Sequence, residues 1–242
     1  MDDWYSLARR YPQYMKVTSS TLKDYGHMAC MDFIDETFAH RGKDVRILEF
    51  GHGFNPEILE RFQLNHEVWG ADRDQGLNYF ADVNWEDTFH AEVASRCGDV
   101  KFVRELLTSA TPAEIIPDGY FDCIMSVSVL EEVPIQTVED ILHGAARKLK
   151  PGGYLIGTHD LLLPSASQRI PQYVAAHRLA GLDLGEVPPI QVDLQVDLQV
   201  DLTKLLLENP LAVMIWYQMN EPKDTRRYWG HYATIYTVAK NI

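Results

Sequence analysis

The stretch Val45-Arg46-Ile47-Leu48-Glu49-Phe50-Gly51-His52-Gly53-Phe54-Asn55-Pro56 decides how this chain folds. It is an apolar run that closes on an acid, a Gly-x-Gly turn and a helix start. Such a turn lets backbone N–H groups and a helix N-terminus approach a ligand with no side chain in the way. A dinucleotide-binding loop needs a third glycine three residues after the second, where the helix packs on the strand. Here that position is Pro56. Asn55 is placed to cap the helix and Pro56 to occupy its first position, where a missing N–H costs nothing. The turn therefore opens onto a ligand other than a pyrophosphate.

The chain has 242 residues, enough for one large domain or two small ones and for a substantial core, and its 46% hydrophobic and 24% charged residues are ordinary for a globular protein. The formal net charge of −13 argues against nucleic acid, whose phosphates require a basic surface. The dense basic pairs Arg9-Arg10 and Arg226-Arg227 read as solvated charges. Cys30, Cys97 and Cys123 are odd in number and widely spaced, which fits neither a disulfide framework nor a zinc cluster. Cys123 lies in an apolar run and reads as a small core residue. The N-terminus has no signal-peptide pattern, and no apolar stretch approaches the roughly 20 residues that span a bilayer. A cytoplasmic protein without membrane contact is the expectation.

Outward from the turn, five short apolar runs recur with helical material between them: Val45–Phe50, Val68–Asp72, Val100–Arg104, Phe121–Val127 and Tyr154–Thr158. Near-continuous apolar strands alternating with helices predict a parallel sheet covered on both faces. The clearest helix is Pro134–Lys150. Ile135, Val138, Ile141, Leu142, Ala145 and Leu149 make one stripe, Arg147, Lys148 and Lys150 complement the C-terminal dipole, and Pro151-Gly152-Gly153 ends it. Leu211–Met219 and Tyr232–Ala239 predict an antiparallel hairpin closing the sheet. The fold class is thus α/β, a doubly wound, Rossmann-like, mostly parallel seven-stranded sheet with a C-terminal hairpin. We read one domain over 1–242: a helical cap at 1–40, a core at 45–160, an insertion at 161–210 and the hairpin at 211–242.

Gln191–Leu202 repeats Gln-Val-Asp-Leu three times, alternating apolar and polar residues with strand periodicity. A slipped tandem duplication in a surface arm is the plainer reading. An edge ribbon pairing with a second copy, as in a homodimer, is the sharper one.

Taken together, the motifs resemble class I S-adenosylmethionine-dependent methyltransferases of the small-molecule branch, over about Val45 to Thr158. Leu48–Asn55 resembles the family's acid-x-Gly-x-Gly-x-Gly motif, and Gly70-Ala71-Asp72 the acid ending its second strand. Phe121–Pro134 is similar to the fourth-strand motif, and Leu149–Leu155 to the turn before strand five. The resemblance implies S-adenosylmethionine as cofactor. Gly51 and Gly53 then let the backbone approach the methionine moiety, with Glu49 beneath it contacting the ammonium or an ordered water. Asp72, which comes 21 residues after Gly51, accepts the ribose hydroxyls, with Arg73 and Ser126 among the cofactor contacts. Asn55 stands where the family has its third glycine. After the third strand, Glu105-Leu106 stands where relatives carry Gly-Asp, which leaves adenine to the Leu106 backbone, with Glu105 a substitute acid.

Methyl transfer is an in-line displacement that mainly requires a close, aligned nucleophile, and a hydroxyl nucleophile gains from a base. His159, with Asp160 beside it, follows strand five at the carboxyl edge of the sheet, where ligands collect. A histidine packed at a strand end is the competing reading. Glu131-Glu132 stands where relatives often carry Glu-His, which makes the site more acidic. No spacing of His, Asp or Glu demonstrates a metal site. Acceptor choice falls to residues 1–40 and 160–210, where Trp4, Tyr5, Tyr11, Tyr14 and Tyr25 either line a pocket or pack a helical cap. The leading expectation is methyl transfer to a hydroxyl of a small-molecule, biosynthetic acceptor. N-methylation of an amine and a catalytically silent methyltransferase-like partner subunit are the alternatives. A nicotinamide oxidoreductase is disfavoured by Pro56.

Overall fold

The computed structural model describes residues 4–14, 21–41, 44–53, 56–72, 95–185, 206–208 and 232–242. Asn55, Arg73, the Gln191–Leu202 repeat and the strand expected at Leu211–Met219 lie outside those residues.

The described elements run α1 (Trp4–Arg10), α2 (Thr21–Phe38), β1 (Arg46–Phe50), α3 (Glu57–Phe62), β2 (Glu67–Ala71), β3 (Lys101–Val103), β4 (Phe121–Val127), α4 (Ile135–Lys148), β5 (Leu149–Leu162), α5 (Leu163–Leu179), β6 (Leu182–Asp183), β7 (Leu206–Glu208) and β8 (Tyr232–Asn241). They form one sheet in the order β3-β2-β1-β4-β5-β8-β6. Strands β1 to β5 are parallel to their neighbours, and β8 runs antiparallel against β5, from Tyr154 opposite Lys240 to Leu162 opposite Tyr232. β6 pairs with one end of β8 and β7 with its other end, so two short strands share the outer edge. Among the described residues, β8 thus has three antiparallel partners: β5, β6 and Leu206–Glu208.

The central strands are apolar because both faces are covered. In β4 all seven residues are buried. Leu48, Phe50, Phe121, Ile124 and Leu155 pack with Val138, Ile141 and Ala145 of α4 and with Ile170 and Tyr173 of α5. The alternate residues Ile47, Cys123, Met125, Val127 and Ile156 pack with Met28, Met31 and Ile34 of α2 and Ile58 and Leu59 of α3. α2 is therefore a covering helix of the sheet. Its Gly26 sits so close to β4 and β5 that a Cβ would lie 2.5 Å from Thr158 Oγ1 and 2.9 Å from Val127 Cγ1.

Two boundaries differ from the sequence reading. Pro56 occupies the N-cap position with Glu57 as the first helical residue, since the Glu60 N–H bonds the Pro56 carbonyl. The helix Ile135–Lys148 stops before Leu149, and Pro151-Gly152-Gly153 is a bulge inside a long β5. Asn241 holds this junction, donating its Nδ2 to the carbonyls of Ala146, Leu149 and Lys150 at 3.1–3.2 Å. Among the described residues no helix is long and apolar enough to cross a membrane.

Candidate active site

Parallel strands bring their carboxyl ends to one edge of the sheet, where α/β proteins bind ligands. At the end of β1 the chain turns through Gly51 (φ +68°) and Gly53 (φ +52°), a backbone region that favours glycine. The Gly51 N–H bonds the Ala71 carbonyl at 2.8 Å, and the Gly53 N–H donates to Asp72 Oδ2 at 2.9 Å. The turn and the acid ending β2 are therefore one unit. Among the described residues a Cβ on Gly53 would meet nothing within 4 Å, whereas one on Gly51 would lie 2.4 Å from Val129 Cγ2. Gly51 is packed against the segment that follows β4.

Beneath the turn, Glu49 is buried on the α2–α3 side, with no hydrogen-bond partner for Oε2 among the described residues. Burial, with Glu57 and Asp72 nearby, pushes its carboxyl well above the usual range. Three acids thus gather beside the glycine turn, an arrangement suited to an ammonium group. His52 is buried in edge contact with Phe102, its Nδ1 3.1 Å from the Gly53 carbonyl.

The loop after β3 begins beside this cradle, because the Asp72 N–H bonds the Val103 carbonyl at 3.1 Å. Glu105 is exposed. Leu106 is half-buried, and its carbonyl accepts the Thr111 hydroxyl at 3.0 Å. Ser126 lies within β4, buried and opposite Gly157, with no partner for its hydroxyl among the described residues.

The ends of β4 and β5 carry a second cluster. Ser128 adopts φ +55°, rare for a non-glycine residue, and its hydroxyl donates to Asp160 Oδ2 at 2.8 Å. The Asp160 N–H donates to Glu131 Oε1 at 2.8 Å. Buried Glu131 Oε2 lies 3.9 Å from Nδ1 of His159, and among the described residues neither atom has a hydrogen-bond partner. On the other side of the ring, Nε2 is 3.3 Å from Thr237 Oγ1, whose hydroxyl donates to the Gly157 carbonyl. Thr237 therefore accepts from Nε2–H, which leaves Nδ1 as a bare lone pair facing Glu131. Burial and then Asp160 push the Glu131 carboxyl well above the ordinary carboxylate range, and burial with His177 lowers His159 to about 3.

His159 does not face an open cleft as the sequence reading has it. It is 1% exposed beneath α5, its ring 5.1 Å from that of Tyr173. Strand alternation explains this, because Leu155 of the same parity packs on the α4–α5 face. Glu131, which the sequence matches to the Glu of the relatives' Glu-His and to which it gives no role of its own, lies between the His159 ring and the Asp160 N–H. The structure brings Glu49, Gly51, Gly53 and Asp72 together, and separately His159, Asp160 and Glu131. Val129 against Gly51 joins the two groups. Nothing in the sequence signals Ser128, whose importance lies in its backbone angle. Among the described residues no group of three or more His, Cys, Asp or Glu is arranged for a metal ion.

Two cavities among the described residues lie elsewhere. One of about 450 Å³ is lined by Tyr11, Asp35 and Arg61, and one of about 500 Å³ by Tyr14, Arg61 and His66. Both sit at the far end of α3, near the start of β2 and away from the glycine turn.

The strand order, the glycine turn and the acid ending β2 define a class I S-adenosylmethionine-dependent methyltransferase fold. Residues 48–157 match the model of the family described as "Methyltransferase domain". Among solved structures, the chain is similar to geranyl diphosphate C-methyltransferase from Streptomyces coelicolor, solved with Mg2+, geranyl diphosphate and S-adenosyl-L-homocysteine. The identity is 12%, over 88% of this chain and 80% of that one, with a TM-score of 0.51. A TehB-like SAM-dependent methyltransferase from Corynebacterium glutamicum aligns at 14% identity over 98% and 95%, with a TM-score of 0.52. The [4+2]-cyclase SpnF aligns at 16% identity over 93% and 84%, with a TM-score of 0.56. No curated protein sequence matches the chain significantly.

Proposed function

We propose that the chain moves the methyl group of S-adenosylmethionine to a hydroxyl of a small-molecule acceptor. The observation carrying this reading is the Gly53 N–H bond to Asp72 at 2.9 Å, which joins glycine turn and acid into one cradle. The residues fit the cofactor. Gly53 leaves room for its methionine part, the orphaned Glu49 oxygen suits its ammonium, Asp72 suits the ribose diol, and the Leu106 backbone suits adenine. Arg73, Ser126 and Glu105 complete the proposed contacts. When bound, the cofactor supplies an electrophilic methyl group on a sulfonium.

The chain's own work is to align the acceptor and manage one proton. As the acceptor oxygen takes the methyl group, its hydroxyl proton must leave. Glu131 is the proposed recipient: burial, then Asp160, hold its carboxyl well above the ordinary range, which makes the ionised carboxylate a stronger base. His159 backs it from the core side, and Asp160, oriented by Ser128, holds it through the backbone. The same acids favour an amine acceptor as the second reading, since Glu131 and Asp160 would hold its cation.

Calorimetric titration with S-adenosylhomocysteine, and with NAD in parallel, tests the reading. Micromolar binding of the former alone, abolished in Asp72→Ala, supports it. Absence of binding to the wild-type chain sinks it.

A further inference from the structure

Lys148 occupies an apolar position. It falls in line with Val138, Ile141 and Ala145 on the buried face of α4, and its side chain is 0% exposed. A buried ammonium is costly unless its hydrogen bonds are met. Here all three protons have acceptors, and all three acceptors belong to the loop that follows β3. Nζ donates to the Thr111 carbonyl at 2.9 Å, the Ile116 carbonyl at 2.5 Å and Asp118 Oδ1 at 2.6 Å. Loop residues 108–118 are thus wrapped around one cation.

The rest of α4 is shaped to the same loop. A Cβ on Gly144 would lie 2.4–2.8 Å from backbone atoms of Thr108, so only glycine admits this approach. Arg147 donates to the Ser109 carbonyl at 2.5 Å and also to the Thr111 carbonyl, and Asp140 receives the Ser109 hydroxyl. Thr111 then passes the restraint back towards the strand. With its carbonyl on Lys148, its hydroxyl donates to the Leu106 carbonyl at 3.0 Å and accepts the Thr108 N–H at 2.9 Å. The peptide joining Leu106 to Leu107 is therefore fixed in orientation by a relay that starts inside α4, and Leu106 lies just beyond Val103, whose carbonyl accepts the Asp72 N–H.

We propose that Lys148 is a positioning residue for cofactor selectivity, setting through Thr111 the orientation in which the Leu106 backbone meets the adenine ring. This rests on the reading of the cradle as an S-adenosylmethionine site. Lys148 touches no ligand. It decides whether the loop offers its N–H to the acceptor edge of adenine or lets it drift, and a drifting loop distinguishes adenine poorly from a purine whose ring nitrogen is a donor.

The test uses Lys148→Met, which keeps an unbranched buried chain, and Thr111→Val, which removes only the bridging hydroxyl. S-adenosylhomocysteine and its hypoxanthine counterpart, S-inosylhomocysteine, are titrated calorimetrically into wild type and both variants. Expected is a loss of about tenfold in affinity for the adenine ligand, with a much smaller loss for the hypoxanthine ligand, so that selectivity falls. A merely structural lesion would weaken both ligands alike, and that result overturns the proposal. If Lys148→Met fails to fold, Thr111→Val decides alone, and unchanged selectivity there also overturns it. Failure of the wild-type chain to bind S-adenosylhomocysteine is a different result, removing the cofactor reading and this proposal with it.

Discussion

Glu49, Glu131 and His159 are buried ionisable groups whose shifts oppose one another, and they set how stability responds to pH. His159 is lowered to about 3 in the folded chain, so below pH 6.5 the unfolded state binds a proton that the native ring refuses. Stability is complete above that pH and declines as pH falls towards 3, by about 2–4 kcal/mol between pH 6.5 and 4. Glu49 and Glu131 shift the other way, and their contribution is present below the unfolded carboxylate range and lost as pH rises through their raised values. Thermal melts from pH 4 to 9 check both signs. Glu49→Gln and Glu131→Gln should flatten the alkaline side, and His159→Phe the acid side; an unaltered profile in all three contradicts the assignment. The two glycines separate in the same manner. Gly51→Ala should cost about 1–3 kcal/mol, because its Cβ strikes Val129, and Val129→Ala in the same chain should recover part of that loss. Gly53→Ala should cost less in stability yet weaken S-adenosylhomocysteine strongly, since its Cβ enters the space facing the ligand. At this scale the sequence named the glycines, Glu49 and Asp72 because a local spacing carries them. It could not place Glu131 or Ser128, whose roles come from pairing between β4 and β5 and from one backbone angle.

At the scale of elements, the strands β1, β2 and β4 and the helix α4 were legible within a residue or two, because each carries its own apolar run or stripe. What periodicity could not reveal is what an element does with an exception to its pattern. Gly144 and Lys148 interrupt the stripe of α4, and the sequence assigned the lysine to the helix dipole. In the structure both exceptions face the loop after β3, one by vacating space and one by filling it with charge. Helix propensity alone predicts that Gly144→Ala stabilises α4 by about 1 kcal/mol. The contact with the Thr108 backbone reverses that sign, because backbone atoms cannot step aside as a flexible side chain can. Denaturant unfolding should show a loss of about 1–3 kcal/mol, and a gain would mean that the loop stands off the helix.

For the whole molecule, the sheet positions the site and the N-terminal segment closes the opposite side, so the two should separate experimentally. Arg61, in the last turn of α3, is the fastening. Its guanidinium lies 5.3 Å from the ring centroid of Tyr11, 5.9 Å from Tyr14 and 5.4 Å from Phe62, and bonds Asp35 of α2 at 2.6 Å. The Tyr11 hydroxyl donates to the same carboxylate at 2.8 Å. One cation therefore ties α1 and the turn after it to two covering helices. The glycine turn lies at the other end of α3, about 9 Å away for a helix of this length. Replacing Arg61 by Met keeps an apolar side chain but removes the charge and the fork, leaving Asp35 with fewer donors. The expected result is a stability loss of about 1–3 kcal/mol and faster proteolytic cutting within residues 4–14, because the segment is released before the sheet opens. Affinity for S-adenosylhomocysteine should change less than threefold, since nothing in the Gly53–Asp72 cradle depends on that ion pair. A parallel collapse of cofactor affinity in Arg61→Met would show instead that the N-terminal segment and the cradle form one cooperative unit, with α3 transmitting between them.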